Sequence, residues 1–135
     1  MSTNSWLLLL GSNHDGETRV RKAILKLVPL GAVRALTPIR SFPADGDGVG
    51  QFHNVLVRID QAPERDELVP RLKSIEDALG RDRDDATNIT IDIDILARHD
   101  GKAWQIDPHA QDKGELHRAM VQTLLRQAGI TVTAL

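Results

Sequence analysis

The sequence has 135 residues but contains no cysteine and no tyrosine, and only two tryptophans and two phenylalanines. Without cysteine, the chain cannot form disulfides, thiolate metal sites or a cysteine nucleophile. Long apolar runs are also missing, since the stretch Trp6–Leu10 near the start is only five residues long and no basic residue precedes it. Such a run is too short for the core of a signal peptide or for a membrane span. It predicts a buried strand in a cytoplasmic protein that has no membrane partner.

An excess of positive charge is missing as well. The chain has 17 lysines and arginines against 19 aspartates and glutamates, which gives a net charge of −2. A broad basic surface is therefore not expected, and nucleic acid is excluded as a partner on that ground. Hydrophobic residues make up 41% of the chain and charged residues 27%, as in an ordinary globular protein. The length predicts one domain over residues 1–135.

Hydrophobic periodicity predicts an alternation of strands and helices. The predicted strands are Trp6–Leu10, Gly31–Arg40, Phe52–Ile59 and Ile89–Leu96, and the predicted helices are Glu17–Val28 and Glu64–Leu79, the latter with Gly80 as its C-cap. The order β-α-β-β-α-β predicts an α+β fold of the ferredoxin-like type, an antiparallel sheet with both helices on one face. Less regular segments predict a glycine- and aspartate-rich loop, Ser41–Gly50, a short strand, Trp104–Ile106, and a third helix, Glu115–Gln127.

The stretch "ITIDIDIL", Ile89–Leu96, carries the clearest sign of chemistry. Alternation at period two places the isoleucines on one face, which must be core, and Asp92 and Asp94 on the other. Same-face residues on a strand are roughly 6.6 Å apart, so the two carboxylates repel each other unless a cation lies between them. Mg²⁺ suits such a pair because it is held by one or two carboxylates together with substrate phosphates. Taken alone, the pair is more often a solvated strand face.

Three further motifs place polar groups near strand or helix ends. In "LLGSN", Gly11 and Asn13 follow the first strand, where small residues and backbone N–H groups can meet a ligand. In "FHN", Asn54 offers an amide donor and acceptor to a planar heterocycle. In "GRDR", Arg81 and Arg83 suit phosphate oxygens. Each motif alone is also ordinary turn or surface chemistry. The five histidines show no metal-ligand spacing, so surface or core positions are predicted for them.

The order and spacing of these motifs are more specific than any one of them. "GSN" after the first strand, "FHN" opening the third, "IEDALGR" closing the second helix and "IDID" on the next strand occur in that sequence. In this the chain resembles the 6-hydroxymethyl-7,8-dihydropterin pyrophosphokinases of the folate pathway, over about Trp6 to Leu96. The resemblance implies a ferredoxin-like core and transfer of pyrophosphate from ATP to the hydroxymethyl group of a dihydropterin, with release of AMP.

The resemblance also implies roles for individual residues. Asp92 and Asp94 would hold two Mg²⁺ ions that bridge the phosphates of ATP, and Arg81 and Arg83 would contact those phosphates. Glu76 would be a structural partner of the adjoining arginines. Asn54 would hydrogen-bond the pterin, and Phe52 or Phe42 would stack on its ring. The backbone of Ser41, Phe42 and Pro43 would also contact the pterin, and Gly11 with Asn13 would form the floor of the site.

The chain departs from the family pattern in two places. The loop before the aspartate strand, "DDATNITID", lacks the tryptophan and arginine of the family, and Ile89 stands where the arginine is expected. Further on, Arg118 falls at a matching distance from Asp94 and is a candidate catalytic residue, whereas His109 does not match and Met120 replaces a pterin-stacking phenylalanine.

Three functional hypotheses follow. The first is an active, Mg²⁺-dependent pyrophosphokinase acting on a pterin. The second is a catalytically impaired paralogue that serves as a nucleotide- or pterin-binding module, a hypothesis based on the altered loop. The third is a ferredoxin-like interaction domain with a merely solvated aspartate pair. The retained motifs weigh against the third, and the oligomeric state stays open.

Overall fold

A computed structural model describes residues 4–43, 51–85 and 87–134 of the chain. Its strands are β1 (Asn4–Ser12), β2 (Ala32–Ala35), β3 (Arg40–Pro43), β4 (Gln51–Ala62), β5 (Asp92–His99), β6 (Trp104–Ile106) and β7 (Val132–Thr133). Its helices are α1 (Gly16–Leu27), α2 (Arg65–Ala78), α3 (Pro108–Asp112) and α4 (Ala119–Ala128), with 3₁₀ turns at Val28–Leu30 and Glu115–His117. Among the described residues, every helix is too short or too polar to span a membrane.

All seven strands belong to one sheet with the order β2-β4-β1-β5-β6-β7, and β3 pairs with β4. The pairs are antiparallel except β6 with β7. If β2 and β3 are counted as one interrupted strand, the core has four strands in the spatial order β5, β1, β4, β2/β3. Numbered along the chain, this is the order fourth, first, third, second. That order, with α1 and α2 as the crossover helices, is the predicted ferredoxin-like arrangement, and the α+β fold class is confirmed.

Both faces of the sheet are covered. On one face, α1 and α2 pack on Leu8 and Leu10 of β1 and on the isoleucines of β5. On the other face, α3 and α4 pack on Leu7 and Leu9 of β1. The consecutive apolar residues of β1 reflect this position, because a central strand buried on two faces has no polar side. The prediction that both central helices share one face is confirmed, and α4 covers the opposite face.

Three predicted boundaries are wrong. The strand predicted over Gly31–Arg40 is two strands, because Pro38 has no N–H to donate to the ladder and lies between β2 and β3. The strand predicted from Ile89 begins at Asp92, because the backbone of Ile89 is bonded to the Asn13 side chain and backbone instead. Ile89 is accordingly half-buried rather than part of the core face.

The predicted helix Glu115–Gln127 is also interrupted, because Arg118 has an extended backbone with ψ 131° and α4 starts after it. Of the predicted loop Ser41–Gly50, the first three residues belong to β3, and residues 44–50 lie outside the described part of the chain.

Gly80 ends α2 as predicted, but it is the residue after the C-cap, which is Leu79, and the turn that it makes helps to form the site. Gly80 has φ +90°, a conformation that glycine adopts without strain. Its N–H donates to Asp77 and the N–H of Arg81 donates to Glu76, which is the Schellman pattern. The turn directs the chain back toward β5, where the Arg81 guanidinium donates to the carbonyl of Ile91 at 3.3 Å.

Candidate active site

The site begins at the edge of β5 that faces away from β1. β6 pairs with β5 from Ala97 to His99, so the earlier part of this edge needs other partners. The N–H of Ile93 donates to Glu76 Oε2 at 2.8 Å, and the carbonyl of Leu96 accepts from the N–H of Asp107 at 2.8 Å. The β5 edge is therefore hydrogen-bonded at two separate points, by Glu76 of α2 and by Asp107 at the start of α3. A cavity lies between α2 and the α3 segment.

This cavity has a volume of about 590 Å³ and carries both signs of charge. Asp92 and Asp94 lie along its β5 side. Basic side chains line it from α2, from the loop after α2 and from the α3 region: Arg65, Lys73, Arg81, Arg83 and Lys113. A surface of this composition suits a polyanion such as a nucleoside triphosphate, with cations bound between its phosphates and the carboxylates.

Asp92 and Asp94 are not a solvated strand face. Asp94 pairs in register with the buried Leu9, and its side chain is only 20% exposed. Burial, followed by the negative charge of Asp92, raises the pKa of Asp94 to about 8, while Lys113 acts in the opposite direction. Near neutral pH, ionisation of Asp94 next to the Asp92 carboxylate is therefore unfavourable unless a further cation is present.

The donor set fits Mg²⁺ rather than a metal held entirely by the protein. Within the described residues, no group of three or more histidines, aspartates or glutamates is arranged to hold a metal ion. Two carboxylates beside an open cavity that also has basic side chains match a cation whose remaining ligands are water and substrate oxygens.

The arginines after α2 are held in two different ways. Arg83 donates to Glu76 Oε1 at 2.7 Å and also contacts Asp77. Glu76 is 7% exposed, and burial raises the pKa of Glu76 against the opposing hydrogen bond from Ile93. The expectation that Glu76 partners an adjoining arginine is thus met by Arg83. Arg81 is held by the backbone instead, since it donates to the carbonyl of Ile91. The buried Nε of Arg81 has no partner among the described residues.

A second group of predicted residues lies across the sheet. Asp92 pairs with Gly11, Gly11 pairs with Asn54, and Asn54 pairs with Arg40, so all four lie at one level of the sheet. Directly paired residues point to the same face, and neighbouring strands are about 4.8 Å apart. A Cβ atom on Gly11 would lie 2.5 Å from Asn54 Nδ2, which places the Asn54 amide over this glycine. Asn54 is 3% exposed, and its Oδ1 has no partner among the described residues.

The two phenylalanines extend this strip. Phe42 of β3 and Phe52 of β4 are register partners and are both half-buried. The guanidinium of Arg40 lies 5.3 Å from the centre of the Phe42 ring. We call Asp92, Gly11, Asn54, Phe42 and Phe52 the sheet platform.

Ser41, Pro43 and Asn13 lie around the sheet platform rather than on it. Ser41 and Pro43 are exposed on β3, and the Ser41 hydroxyl donates to Gln51. Asn13 holds the loop before β5, since its Nδ2 donates to the carbonyl of Thr87 at 2.7 Å and its Oδ1 accepts from the N–H of Ile89 at 2.7 Å. Asn13 therefore fixes the segment that leads into Asp92.

Sequence reasoning missed the groups that the α3 region supplies. Lys113, Glu115 and His109 line the cavity, although the spacing of His109 had argued against it. Arg118 donates to Glu115 Oε2 at 3.2 Å, and so reaches the cavity wall through Glu115. The only local signal is the "DKGE" turn, in which Gly114 has φ +68°; no periodicity indicates that this turn folds back onto β5.

The sequence was also compared with known proteins. The model of a family described as 7,8-dihydro-6-hydroxymethylpterin-pyrophosphokinase (HPPK) matches residues 7–126. No curated protein matches the chain. The family match includes the residues of both the cavity and the sheet platform.

Proposed function

We propose that this chain, which belongs to the 7,8-dihydro-6-hydroxymethylpterin-pyrophosphokinase family, transfers pyrophosphate from ATP to the hydroxymethyl group of that pterin in a Mg²⁺-dependent reaction. The family gives the reaction class, and the arrangement of the site supports it for this chain. The cavity, whose basic side chains suit a polyanion, and the sheet platform, which suits a planar heterocycle, share Asp92, and Asp92 pairs with Gly11 of the platform. A transfer between two bound substrates needs such adjacent places.

The cavity is assigned to ATP. Arg81 and Arg83 bind the phosphates by charge-assisted hydrogen bonds, and Glu76 keeps Arg83 in place. Asp92 and Asp94 are assigned as the ligands of two Mg²⁺ ions. When bound, Mg²⁺ neutralises the phosphate charge and so favours the transition state of phosphoryl-type transfer.

The sheet platform is assigned to the pterin. Asn54 has a buried amide whose oxygen has no partner within the described part of the chain, and an unpaired buried polar atom costs roughly 1–3 kcal/mol until a ligand satisfies it. The polar edge of a pterin can do so, while Phe42 or Phe52 stacks on the ring. Ser41 and Pro43 border the pterin from β3, Gly11 forms the floor of the pocket, and Asn13 borders it by holding the loop before β5.

The chemistry follows from positioning. The pterin hydroxyl oxygen forms a bond to the β-phosphorus of ATP, the bond between that phosphorus and the α-β bridging oxygen breaks, and AMP leaves. We assign Asp92 as the acceptor of the hydroxyl proton, because it is the carboxylate level with Asn54 in the sheet. No protein nucleophile is needed. The reaction belongs to the cytoplasm, where the sequence predicts the protein to be located.

One observation favours a second candidate, a catalytically impaired paralogue that binds nucleotide or pterin. Ile89 occupies the loop position at which the family resemblance implies an arginine, and this loop is held by Asn13. An isoleucine cannot donate a charge-assisted hydrogen bond to the transferring phosphates.

The test is to mix the protein with ATP, Mg²⁺ and 6-hydroxymethyl-7,8-dihydropterin and to measure AMP. We expect AMP release that is abolished by chelation and by Asp92→Asn with Asp94→Asn. The same variant is expected to lose Mg²⁺-dependent binding of a non-hydrolysable ATP analogue while keeping its fold. Good binding of both ligands without AMP release would favour the impaired paralogue, and unchanged nucleotide affinity in the double variant would refute the metal assignment.

A further inference from the structure

Lys113 reaches the aspartate pair from the α3 side of the cavity. Its Nζ lies 3.8 Å from Asp94 Oδ1 and 3.8 Å from Glu115 Oε1. The Lys113 side chain is 44% exposed, whereas that of Asp94 is 20% exposed. The ammonium group therefore approaches a largely buried carboxylate from the solvent side, which is also the direction from which a dissolved cation arrives.

Glu115 gives this ammonium group a second anchor. Glu115 is 4% exposed, and its Oε2 accepts a hydrogen bond from Arg118 at 3.2 Å. Its other carboxylate oxygen faces Lys113. Arg118 thus holds Glu115 from one side, and Glu115 holds Lys113 from the other. If Asp94 no longer attracts Lys113, the lysine still has a partner at the cavity wall.

Lys113 and Arg118 offset most of the negative charge of this cluster. Asp92, Asp94 and Glu115 supply up to three negative charges, and Lys113 and Arg118 supply two positive ones. The site is therefore close to balanced without a metal ion. A metal ion that binds at Asp94 has to meet an ammonium group already in contact with that carboxylate.

We propose that Lys113 is the internal cation of the metal-free site, which weakens the binding of a divalent cation to the free protein and couples it to nucleotide binding. This inference rests on the function proposed above. A divalent cation at Asp94 repels the ammonium group, and Glu115 retains it at the wall of the same cavity. Nucleotide phosphates then attract the displaced ammonium group. Cation and nucleotide consequently bind together more tightly than either binds alone.

The first experiment measures Mg²⁺ affinity in the absence of nucleotide by calorimetry. Lys113→Met is expected to bind Mg²⁺ about five- to tenfold more tightly than the unaltered protein, the size of a unit-charge interaction at about 4 Å in high dielectric. Lys113→Arg keeps the charge and should leave the affinity low. Lys73→Met is the matched control, because Lys73 lines the same cavity from α2 and its loss removes the same charge without touching Asp94.

The second experiment measures the affinity for a non-hydrolysable ATP analogue with and without Mg²⁺. The gain that Mg²⁺ confers should be smaller in Lys113→Met than in the unaltered protein. Lys73→Met removes a charge from the cavity assigned to ATP, so it should weaken binding of the analogue equally with and without Mg²⁺ and leave the gain unchanged. Thermal unfolding of each variant verifies that it is folded, as expected for a partly exposed side chain.

Unchanged Mg²⁺ affinity in Lys113→Met, or an equal increase in Lys73→Met, would overturn the role of Lys113. Mg²⁺-dependent nucleotide binding and AMP release would then leave the proposed function intact. If the unaltered protein binds no Mg²⁺ with or without nucleotide, both the inference and the metal-dependent function are wrong.

Discussion

Glu76 offers a sharp test of how the cavity is built, because its one carboxylate joins the sheet edge to Arg83, which we assign to the phosphates of ATP. Its Oε2 accepts from the N–H of Ile93 at 2.8 Å, and its Oε1 accepts from Arg83 at 2.7 Å. Ile93 is 6% exposed and Glu76 is 7% exposed. Glu76→Ala therefore leaves a mostly buried N–H without its side-chain acceptor.

The expected cost follows from the unpaired backbone group. A buried N–H without a partner costs about 1–3 kcal/mol, which corresponds to a decrease of roughly 4–12 °C in melting temperature for a domain of this size. Glu76→Gln keeps an amide oxygen for Ile93 and should retain most of the stability. Because burial raises the pKa of Glu76, removal of its charge also relieves a desolvation penalty.

Thermal unfolding followed by circular dichroism measures the stability, and titration with an ATP analogue measures the effect on Arg83. Asp77→Asn is the control, since Asp77 is the other partner of Arg83 but its side chain is 62% exposed. An exposed ion pair contributes about 0–1 kcal/mol, so this variant should unfold close to the unaltered protein. Equal losses in Glu76→Ala and Asp77→Asn, or no loss in Glu76→Ala, would refute the reasoning.

Three other predictions follow from the site. Gly11→Ala places a Cβ 2.5 Å from Asn54 Nδ2, so calorimetry should show pterin affinity reduced at least as much as in Asn54→Ala, about 1–3 kcal/mol, with ATP-analogue affinity retained; equal loss of both affinities would contradict this. Without metal, the raised pKa of Asp94, about 8, keeps a proton on the native state that the unfolded chain loses near pH 4. The free energy of unfolding should therefore decrease as pH rises from about 4 to about 8, by at most about 1.4 kcal/mol per pH unit, and a slope unchanged in Asp94→Asn would disprove the assignment. Because Ile89 cannot bind phosphate, AMP release should be about 10- to 150-fold slower than in a family member with an arginine there, and slower still in Arg118→Ala; a full rate would show that the loop is dispensable.

The inner fold could be predicted because its signals are local. Alternating isoleucines mark β5, helical spacing marks α1 and α2, and Gly80 marks the end of α2. The errors arose where a partner distant in sequence overrides the local pattern. Ile89 continues the alternation of β5, yet its backbone is bonded to Asn13, a residue 76 positions earlier in the chain. The break at Pro38 did have a local signal, since proline is unsuited to an inner strand.

The candidate site divides in the same way. Residues on predicted strands, such as Asp92, Asp94 and Asn54, could be singled out by residue type and spacing. Lys113 and Glu115 could not, because their role depends on how the segment after β6 folds back against β5. Charged residues in a turn are ordinarily solvated, and nothing in the local sequence distinguishes Glu115, which is 4% exposed, from an exposed glutamate.

The most direct test of the central claim follows the β-phosphorus of ATP. The protein is incubated with Mg²⁺, 6-hydroxymethyl-7,8-dihydropterin and ATP that carries ³²P at the β position, and the products are separated by chromatography. Attack at the β-phosphorus predicts that the label appears in the pterin product and that AMP is unlabelled, with both lost in Asp92→Asn with Asp94→Asn. Label that remains in ADP would mean transfer of the γ-phosphate alone and would contradict the account, as would label that stays in ATP.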